Sequence, residues 1–350
     1  QMDEPPEQIV KNGKAKFGTY KGVSSKLDIK GMRAPYAGVP MPAFLSKLRI
    51  KSRLIYSFNL GQYIGFTKFF DFKVFGIVQA TFWNMETEKS YAYHAIMPAR
   101  RRFVPTNTSS AIAACYQNSR QVRLFWEDNH NFIKCEFRLK GDRVRPSAKG
   151  KMISVRNDSM HTDLMFVNPA PTSSRCTATW LSAMSIKGSL HTYTKDKIPE
   201  HKIEDGIASM NLSRAYYKSH TAYEMAEGLG VVQNKKLVFN LAYTNIDASD
   251  ADKYNSNVLI IDGKATPLPS VVITHPFGTS KTWIIQDTES MVDLTFTPVS
   301  IKHRVTNVIV SRTEQTAIYG TYEGVLATKD GEKIYLKKFP GLVFKNIVRT

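Results

Sequence analysis

From Trp283 to Phe339 apolar and polar positions alternate in blocks separated by turn residues. Val292, Leu294 and Phe296 alternate with Asp293, Thr295 and Thr297. Side chains on a strand point to opposite faces in turn, so this pattern predicts one apolar and one polar face. Ile318, Gly320, Tyr322, Gly324 and Leu326 share one face of the next-to-last segment, and Ile334 and Leu336 one face of the last. Lys329-Asp330-Gly331-Glu332 separates the two, and Asp-Gly accommodates the positive φ of a tight hairpin. Short turns make consecutive strands antiparallel neighbours. The stretch reads as a β-meander forming one wall of a closed or nearly closed barrel.

The same rhythm runs upstream. Strands are predicted from near Leu45 onward, over 55–67, 69–82, 90–97, 111–115, 121–126, 132–139 and 151–155, then over 177–187, 208–217, 236–245 and 257–261. Gly61, Gly65 and Gly76 mark bulges or close backbone approaches. Segment 219–228 has mild helical character, and 195–205 is charged and loop-like. Residues 1–43, interrupted by Pro35, Pro40 and Pro42, read as an irregular arm. The run Asn168-Pro169-Ala170-Pro171-Thr172-Ser173-Ser174 is the best linker. The expected organisation is all-β: an N-terminal arm (1–43), a first antiparallel barrel half (44–174) and a second (175–350).

Composition narrows the function. With 350 residues, 42% of them hydrophobic, the chain can bury a sizeable core. No apolar run approaches the ~20 residues of a membrane helix. Cys115, Cys135 and Cys176 are odd in number and lack paired spacing, which favours a reducing intracellular compartment over a disulfide framework. The net charge of +18 is lopsided: residues 1–175 hold 28 Lys and Arg against 13 Asp and Glu. Either the first half faces an acidic protein surface or an anionic lipid, or this is a solvated basic surface. Lys47, Arg49, Lys51 and Arg53 alternate with Leu48, Ile50, Ser52 and Leu54 and are expected on one exposed strand face. Arg100, Arg101 and Arg102 would extend that patch from a nearby loop. A removed organellar presequence, mitochondrial among the options, would fit a basic chain that begins at Gln1.

With these strands placed, the whole chain resembles an uncharacterised calycin-superfamily (lipocalin-like) family related to AttH-like proteins and to hydroxyneurosporene synthase (carotenoid 1,2-hydratase). The resemblance rests on Asp262-Gly263-Lys264, the run 292–298, Tyr319-Gly320-Thr321-Tyr322-Glu323-Gly324 and Lys338-Phe339-Pro340-Gly341. Leu60-Gly61-Gln62-Tyr63-Ile64-Gly65 and His161-Thr162-Asp163-Leu164 are weaker landmarks. It implies two lipocalin-like β-barrel halves packed together, and no established activity. Members of the family carry an Asp-Trp-Gly-Arg-Gly-like run followed by a Trp-rich strand. Here that place holds Asn211-Leu212-Ser213-Arg214-Ala215, followed by tyrosines, which keeps only the arginine.

Chemistry-bearing motifs are sparse. The eight histidines show no metal-pair spacing, and there is no nucleophile elbow, phosphate loop or dinucleotide fingerprint. No catalytic residue, metal or cofactor is assigned. Arg214, Tyr216, Tyr217, His220, Tyr223 and Glu224 form the one cluster that would suit a ligand pocket; the competing reading makes Arg214 a structural arginine closing a barrel end. Phe66, Phe69, Phe72, Phe75, Phe82 and Trp83 either line an apolar cavity or fill the core. Nucleic acid is disfavoured, because aromatic and basic positions do not interleave on one face. The expectation is therefore a non-catalytic lipocalin-like protein, either a binding module for a hydrophobic molecule or an accessory subunit of a larger assembly. The alternative is a hydratase- or cyclase-type enzyme acting on an isoprenoid-like or polyketide-like substrate.

Overall fold

A computed structural model describes residues 2–36, 42–99, 103–127, 132–155, 158–194, 202–308 and 311–349. The N-terminal arm contributes β1 (Val10–Lys11), β2 (Lys14–Ala15) and β3 (Gly18–Lys21). One helical turn and a half, α1 (Ala43–Leu48), leads into β4 (Ile50–Leu60), β5 (Tyr63–Asp71), β6 (Phe75–Asn84) and β7 (Ser90–Pro98). Then come β8 (Ser110–Gln117), β9 (Arg120–Glu127), β10 (Phe132–Leu139), β11 (Ser147–Ser154), β12 (Thr162–Pro169), β13 (Cys176–Tyr193) and β14 (Glu204–Tyr216). The remainder supplies β15 (His220–Val232), β16 (Lys235–Thr244), β17 (Val258–Ile261), β18 (Lys264–Pro267), β19 (Val272–Thr274), β20 (Trp283–Gln286), β21 (Val292–Val308), β22 (Ser311–Ala327) and β23 (Lys333–Arg349).

Among the described residues these strands fall into the β1–β2 hairpin and two large sheets. β3 to β14 make a twelve-stranded sheet in the order β7-β6-β5-β4-β14-β13-β11-β10-β9-β8, with β12 bridging β13 and β3. It curls into a nearly closed barrel whose free edges, β7 and β8, meet through side chains. Gln117 Nε2 donates to the Ile96 carbonyl at 2.9 Å, and Cys115 Sγ lies 3.3 Å from Met97 Sδ. β15 to β23 make a nine-stranded half-barrel in the order β18-β17-β16-β15-β23-β22-β21-β20-β19. The all-β architecture of two barrel halves is the one the alternation predicts.

Several local expectations change. The run 168–174 connects a hairpin inside the first sheet, with Pro169 opposite Cys176. Sheet membership divides the chain between Tyr216 and His220. The mildly helical segment 219–228 is the central strand β15, and the expected strand start near Leu45 is α1. Segments 55–67 and 69–82 each break at a hairpin, at Gly61-Gln62 and at 72–74. Gly65 and Gly76 allow the close approaches read for them. A Cβ on Gly65 would sit 2.4 Å from Phe82 Cβ, and one on Gly76 2.5 Å from the Phe103 ring.

Each barrel is filled by its own side chains. Phe69 and Phe82 pack in the first core with Phe58, Trp126 and Trp180. Trp283, Phe296, Tyr322 and Phe339 pack in the second. The outer faces of β4, β5, β6 and β12 to β14 lie against β15, β16, β22 and β23. Three further apolar clusters form along this seam. Leu164, Phe166 and Ile207 meet Leu229, Val238 and Ile260. Ile55, Phe66 and Trp83 meet Met225, Tyr319 and Phe344. Phe70, Phe72, Phe75 and Tyr217 meet Tyr223, Ile246 and Val348. The Phe66 and Phe344 rings cross edge to face at 4.9 Å between centroids. Polar bonds cross as well: Asn59 Nδ2 donates to the Leu229 carbonyl at 2.9 Å, and Lys236 Nζ pairs with Asp158 at 3.0 Å.

Truncating a ring of this size inside such a contact costs about 3–5 kcal/mol. Phe66→Ala and Phe344→Ala are each expected to lose that much in denaturant unfolding. The double variant should lose less than the sum, because the two rings touch. Strict additivity would show that the seam is not packed as described.

Glu227 of β15 also faces the seam and is fully enclosed. Burial pushes its carboxyl up from 4.5 to about 7, against the nearby Ser57 and Ser209 hydroxyls and the Arg53 charge, which pull it down. The folded chain thus holds a proton that the unfolded chain releases at lower pH. Stability from this group is full below about 4.5 and falls as pH rises to about 7. Glu227→Gln should flatten that slope and gain on the order of 3 kcal/mol at alkaline pH. Urea unfolding on both sides of the window checks it, and an unaltered slope would show that the carboxyl ionises freely in place.

Candidate functional site

The seam carries chemistry because strand parity sends polar side chains into it. On β4, Ile50, Ser52, Leu54, Tyr56 and Phe58 are the alternate set, and Leu54, Tyr56 and Phe58 fill the first barrel. Lys51, Arg53, Ile55, Ser57 and Asn59 therefore point outward, toward the second half. On β5 the outward set is Ile64, Phe66, Lys68 and Phe70. From the other side β15 presents Tyr223, Met225, Glu227 and Leu229, and β23 presents Phe344 and Asn346.

Arg53, Lys68 and Tyr223 meet there. Lys68 Nζ donates to the Tyr223 hydroxyl at 3.2 Å and to Asn346 Oδ1 at 3.3 Å. The Arg53 guanidinium lies over the Tyr223 ring, 4.4 Å from its centroid. Burial alone would push the Tyr223 phenol up, but the Lys68 and Arg53 charges outweigh it and bring the phenol below its ordinary range. Lys68 is itself lowered by burial, with Tyr223 acting against that. Arg53 Nε is out of solvent and has no hydrogen-bond partner among the described residues.

Arg53 and Tyr223 of this group, with Lys68 behind Tyr223, help line a pocket between the two halves. Its free space is about 80 Å³, and Arg53, Tyr217, Tyr223, Ile246, Asp247 and Asn255 are among its lining residues. Asp247 caps the end of β16, where its Oδ2 accepts the Thr244 N–H at 2.7 Å. Burial raises its carboxyl to about 7, against that hydrogen bond. The pocket thus combines an acid that keeps its proton near neutrality with a phenol biased toward giving its proton up. Such a divergent pair is the arrangement that general acid–base chemistry uses.

The six residues expected to form one ligand cluster are distributed over separate places. Arg214 and Tyr216 point into the first barrel. Arg214 donates to Ser52 Oγ at 2.6 Å and to the carbonyls of Val104 and Pro105 at 2.7 and 2.6 Å, while Tyr216 donates to the Ile29 carbonyl at 2.9 Å. They tie the arm and the 103–105 loop over the barrel end, and burial lowers the Arg214 guanidinium to about 10. Tyr217 and Tyr223 line the seam pocket. Glu224 reaches the pocket rim, but its Oε1 is held at 2.9 Å by both Lys345 Nζ and His275 Nε2. His220 is exposed.

The basic strand is corrected too. Lys47 is exposed on α1, Arg49 follows at its C-cap, Lys51 is buried and Arg53 sits in the seam. Lys51 Nζ donates to the Phe72 carbonyl at 2.9 Å, and burial lowers it to about 8. The four do not share an exposed face, because the outer side of β4 is covered by the second half. Arg100, Arg101 and Arg102 lie outside the described residues. Exposed positive charge gathers elsewhere, on the outer face of β9 to β11, through Arg123, Arg138, Lys149 and Lys151. Among the described residues no three His, Cys, Asp or Glu side chains converge as metal ligands would. No described helix is long and apolar enough to cross a membrane.

Sequence reasoning missed Arg53 as a pocket residue, and missed Lys68 and Asp247 altogether. The available signal was Phe66-Thr67-Lys68-Phe69-Phe70: a lysine inside a run whose two faces are both aromatic. A strand apolar on both faces is sandwiched, so its charge must meet a partner inside the protein.

No curated protein matches the chain in sequence. Solved structures similar to it include kievitone hydratase from Nectria haematococca, at 10% identity and a TM-score of 0.44, covering 85% of this chain and 88% of that one. CghA with Sch210972 is similar at 8% identity and a TM-score of 0.43, covering 87% and 89%. An AttH-like protein from Nitrosomonas europaea is similar at 9% identity and a TM-score of 0.39, covering 90% and 98%. The solved structures of like fold include a hydratase, at 10% identity a likeness of fold alone, and the expected non-catalytic binding module or accessory subunit is not retained. The expected β-barrel halves hold, and an AttH-like protein is among the solved structures of similar fold. Residues 2–347 match the model described as a domain of unknown function, DUF2804, and the chain belongs to that family.

Proposed function

We propose that this protein is an acid–base enzyme of the hydratase or cyclase type, acting on a hydrophobic isoprenoid-like or polyketide-like substrate in the pocket between its two halves. The observation that carries the reading is Tyr223, enclosed and held by Lys68 at 3.2 Å beneath the Arg53 guanidinium, in one pocket with Asp247. Hydration of a carbon–carbon double bond needs a proton delivered to one carbon and a water deprotonated as it attacks the other. Asp247, protonated up to about 7, supplies the first proton and becomes a carboxylate. Tyr223, its phenol shifted below the ordinary range by Lys68 and Arg53, serves as the base: it releases its own proton to solvent and takes one from the attacking water. Solvent at the pocket mouth returns the proton from Tyr223 to Asp247. For cyclisation, the same acid polarises a carbonyl while the phenolate removes an adjacent proton.

Tyr223→Phe and Asp247→Asn should each lower turnover roughly 10²–10⁴-fold while the fold is retained. Prenylated aromatics and polyenone acids incubated in ¹⁸O-water or ²H₂O, with mass detection of label, provide the assay. The wild-type rate should fall as pH rises through about 7, where Asp247 loses its proton. Label incorporation that survives both substitutions would overturn the assignment.

The basic face of β9 to β11 supports a second reading, docking on an anionic lipid surface from which a hydrophobic substrate is drawn. Glu136 engages Arg123 and Lys134, which leaves Arg138, Lys149 and Lys151 without an acidic partner among the described residues, beside exposed Ile112, Tyr116 and Ile153. Each basic residue near such a surface contributes about 1 kcal/mol. Sedimentation with phosphatidylserine vesicles should retain the protein at low salt and release it at about 1 M, where screening shortens to ~3 Å. A triple Arg138→Glu, Lys149→Glu, Lys151→Glu variant that still sediments would refute the docking.

A further inference from the structure

Arg53 and Lys68 lie on neighbouring strands, with Arg53 opposite Phe70 in register, and both enter the same enclosed space. Neither forms an ion pair with a carboxylate among the described residues. The acids around them are accounted for otherwise. Glu227 is within reach of the Arg53 charge but makes no ion pair with it, and burial raises its carboxyl to about 7. Asp247 keeps its proton over the same range. Glu224 is engaged by Lys345 and His275. What remains is Tyr223. If Lys68 passes its proton to no one and Tyr223 keeps its own, the group carries two positive charges. If either Lys68 or Tyr223 releases a proton, it carries one. Only the loss of both protons would bring the group to neutrality; every other arrangement leaves it positive.

An unpaired cation held out of water costs several kcal/mol, so a folded chain that keeps one has a use for it. Arg53 and Tyr223 are the parts of the group that the pocket reaches; Arg53 is the cation of the two, and its enclosed Nε still has a hydrogen-bond donor to offer. The surrounding wall is mixed, with Pro169, Ile246 and Ala248 beside Tyr217. About 80 Å³ of free space holds two to three waters at their liquid volume of about 30 Å³ each. That is room for a carboxylate and the first carbons behind it, with a longer apolar body left at the mouth.

Resting on the reading of this pocket as a substrate site, we infer that its ligand is an amphipathic carboxylic acid whose carboxylate pairs with Arg53. The charge that the protein leaves uncompensated is then completed by the substrate. Arg53 anchors the head group beside Tyr223 and orients the apolar part against Ile246 and Ala248. A neutral ester or alcohol of the same skeleton lacks that anchor. Specificity for the acid follows from the cost of leaving Arg53 buried without a counter-ion.

The test compares dodecanoate with methyl dodecanoate by calorimetric titration of the full chain at neutral pH. The acid is expected to bind roughly tenfold to hundredfold more tightly than the ester. Arg53→Met should erase the preference, and Arg53→Lys should restore part of it. Equal wild-type affinity for acid and ester would overturn the inference, and that measurement needs no variant to fold. A preference for the acid that Arg53→Met leaves intact would also overturn it. The enzyme reading fails separately: acid-selective binding without label incorporation into any acid tested removes catalysis and leaves the anion site. Turnover of neutral substrates with no preference for the acid does the reverse.

Discussion

The seam between the two halves is the constraint on which the rest depends. A barrel in isolation needs one apolar face per strand, turned inward. Here β5 and β6 are buried at every position, because their outer faces are covered by β15, β22 and β23. Phe66 and Trp83 point out of the first barrel, yet they are as enclosed as Phe69 and Phe82 inside it. The outward aromatic set has no place in water, so neither half is a complete unit by itself. The apolar clusters at the seam fix the relative placement of the strands, and that placement brings Lys68 of β5 within hydrogen-bonding distance of Tyr223 of β15.

A seam of this kind gives polar residues an environment that neither core offers. Inside each barrel, packing leaves almost no space and few charges. Between the barrels the strands are held close but not interdigitated everywhere, so a pocket remains where the apolar clusters end. Charges placed there are partly desolvated, which strengthens every interaction among them. The same burial that raises Asp247 and Glu227 would raise Tyr223, and only the two cations reverse it. Opposite shifts in one pocket therefore arise from one cause, enclosure, with charge partners at Tyr223 and none of comparable effect at Asp247.

Strand parity was legible in the chain, and the surroundings of each face were not. The alternation of Lys51 and Arg53 with Ile50 and Leu54 correctly sends the charges out of the first barrel. Reading "out" as solvent fails because the second half occupies that side. The C-terminal meander was readable because β20 and β21 keep a polar outer face, so Val292, Leu294 and Phe296 stand against Asp293, Thr295 and Thr297. β15 was misread for the opposite reason. With both faces enclosed, its Ala, Glu and Met residues lose the two-residue contrast and leave only their helix propensity. Arg214 was visible as an unusual arginine, but its bonds to Val104 and Pro105 join segments more than a hundred residues away, a pairing no local pattern encodes.

The difference between Arg214 and Arg53 shows what turns a buried arginine into a site. They lie on adjacent, paired strands, with Arg214 opposite Ser52 and Arg53 opposite Ser213. Parity sends one inward and the other outward. Arg214 spends its donors on a hydroxyl and two backbone carbonyls, so its charge is solvated by the fold and holds the barrel end shut. Both keep an enclosed Nε without a partner among the described residues, but Arg53 lies over a tyrosine ring and borders free space. A guanidinium held by a hydroxyl and two backbone carbonyls at a barrel end is structure. One that forms no ion pair among the described residues and borders free space is poised for a ligand, and one residue of register separates the two.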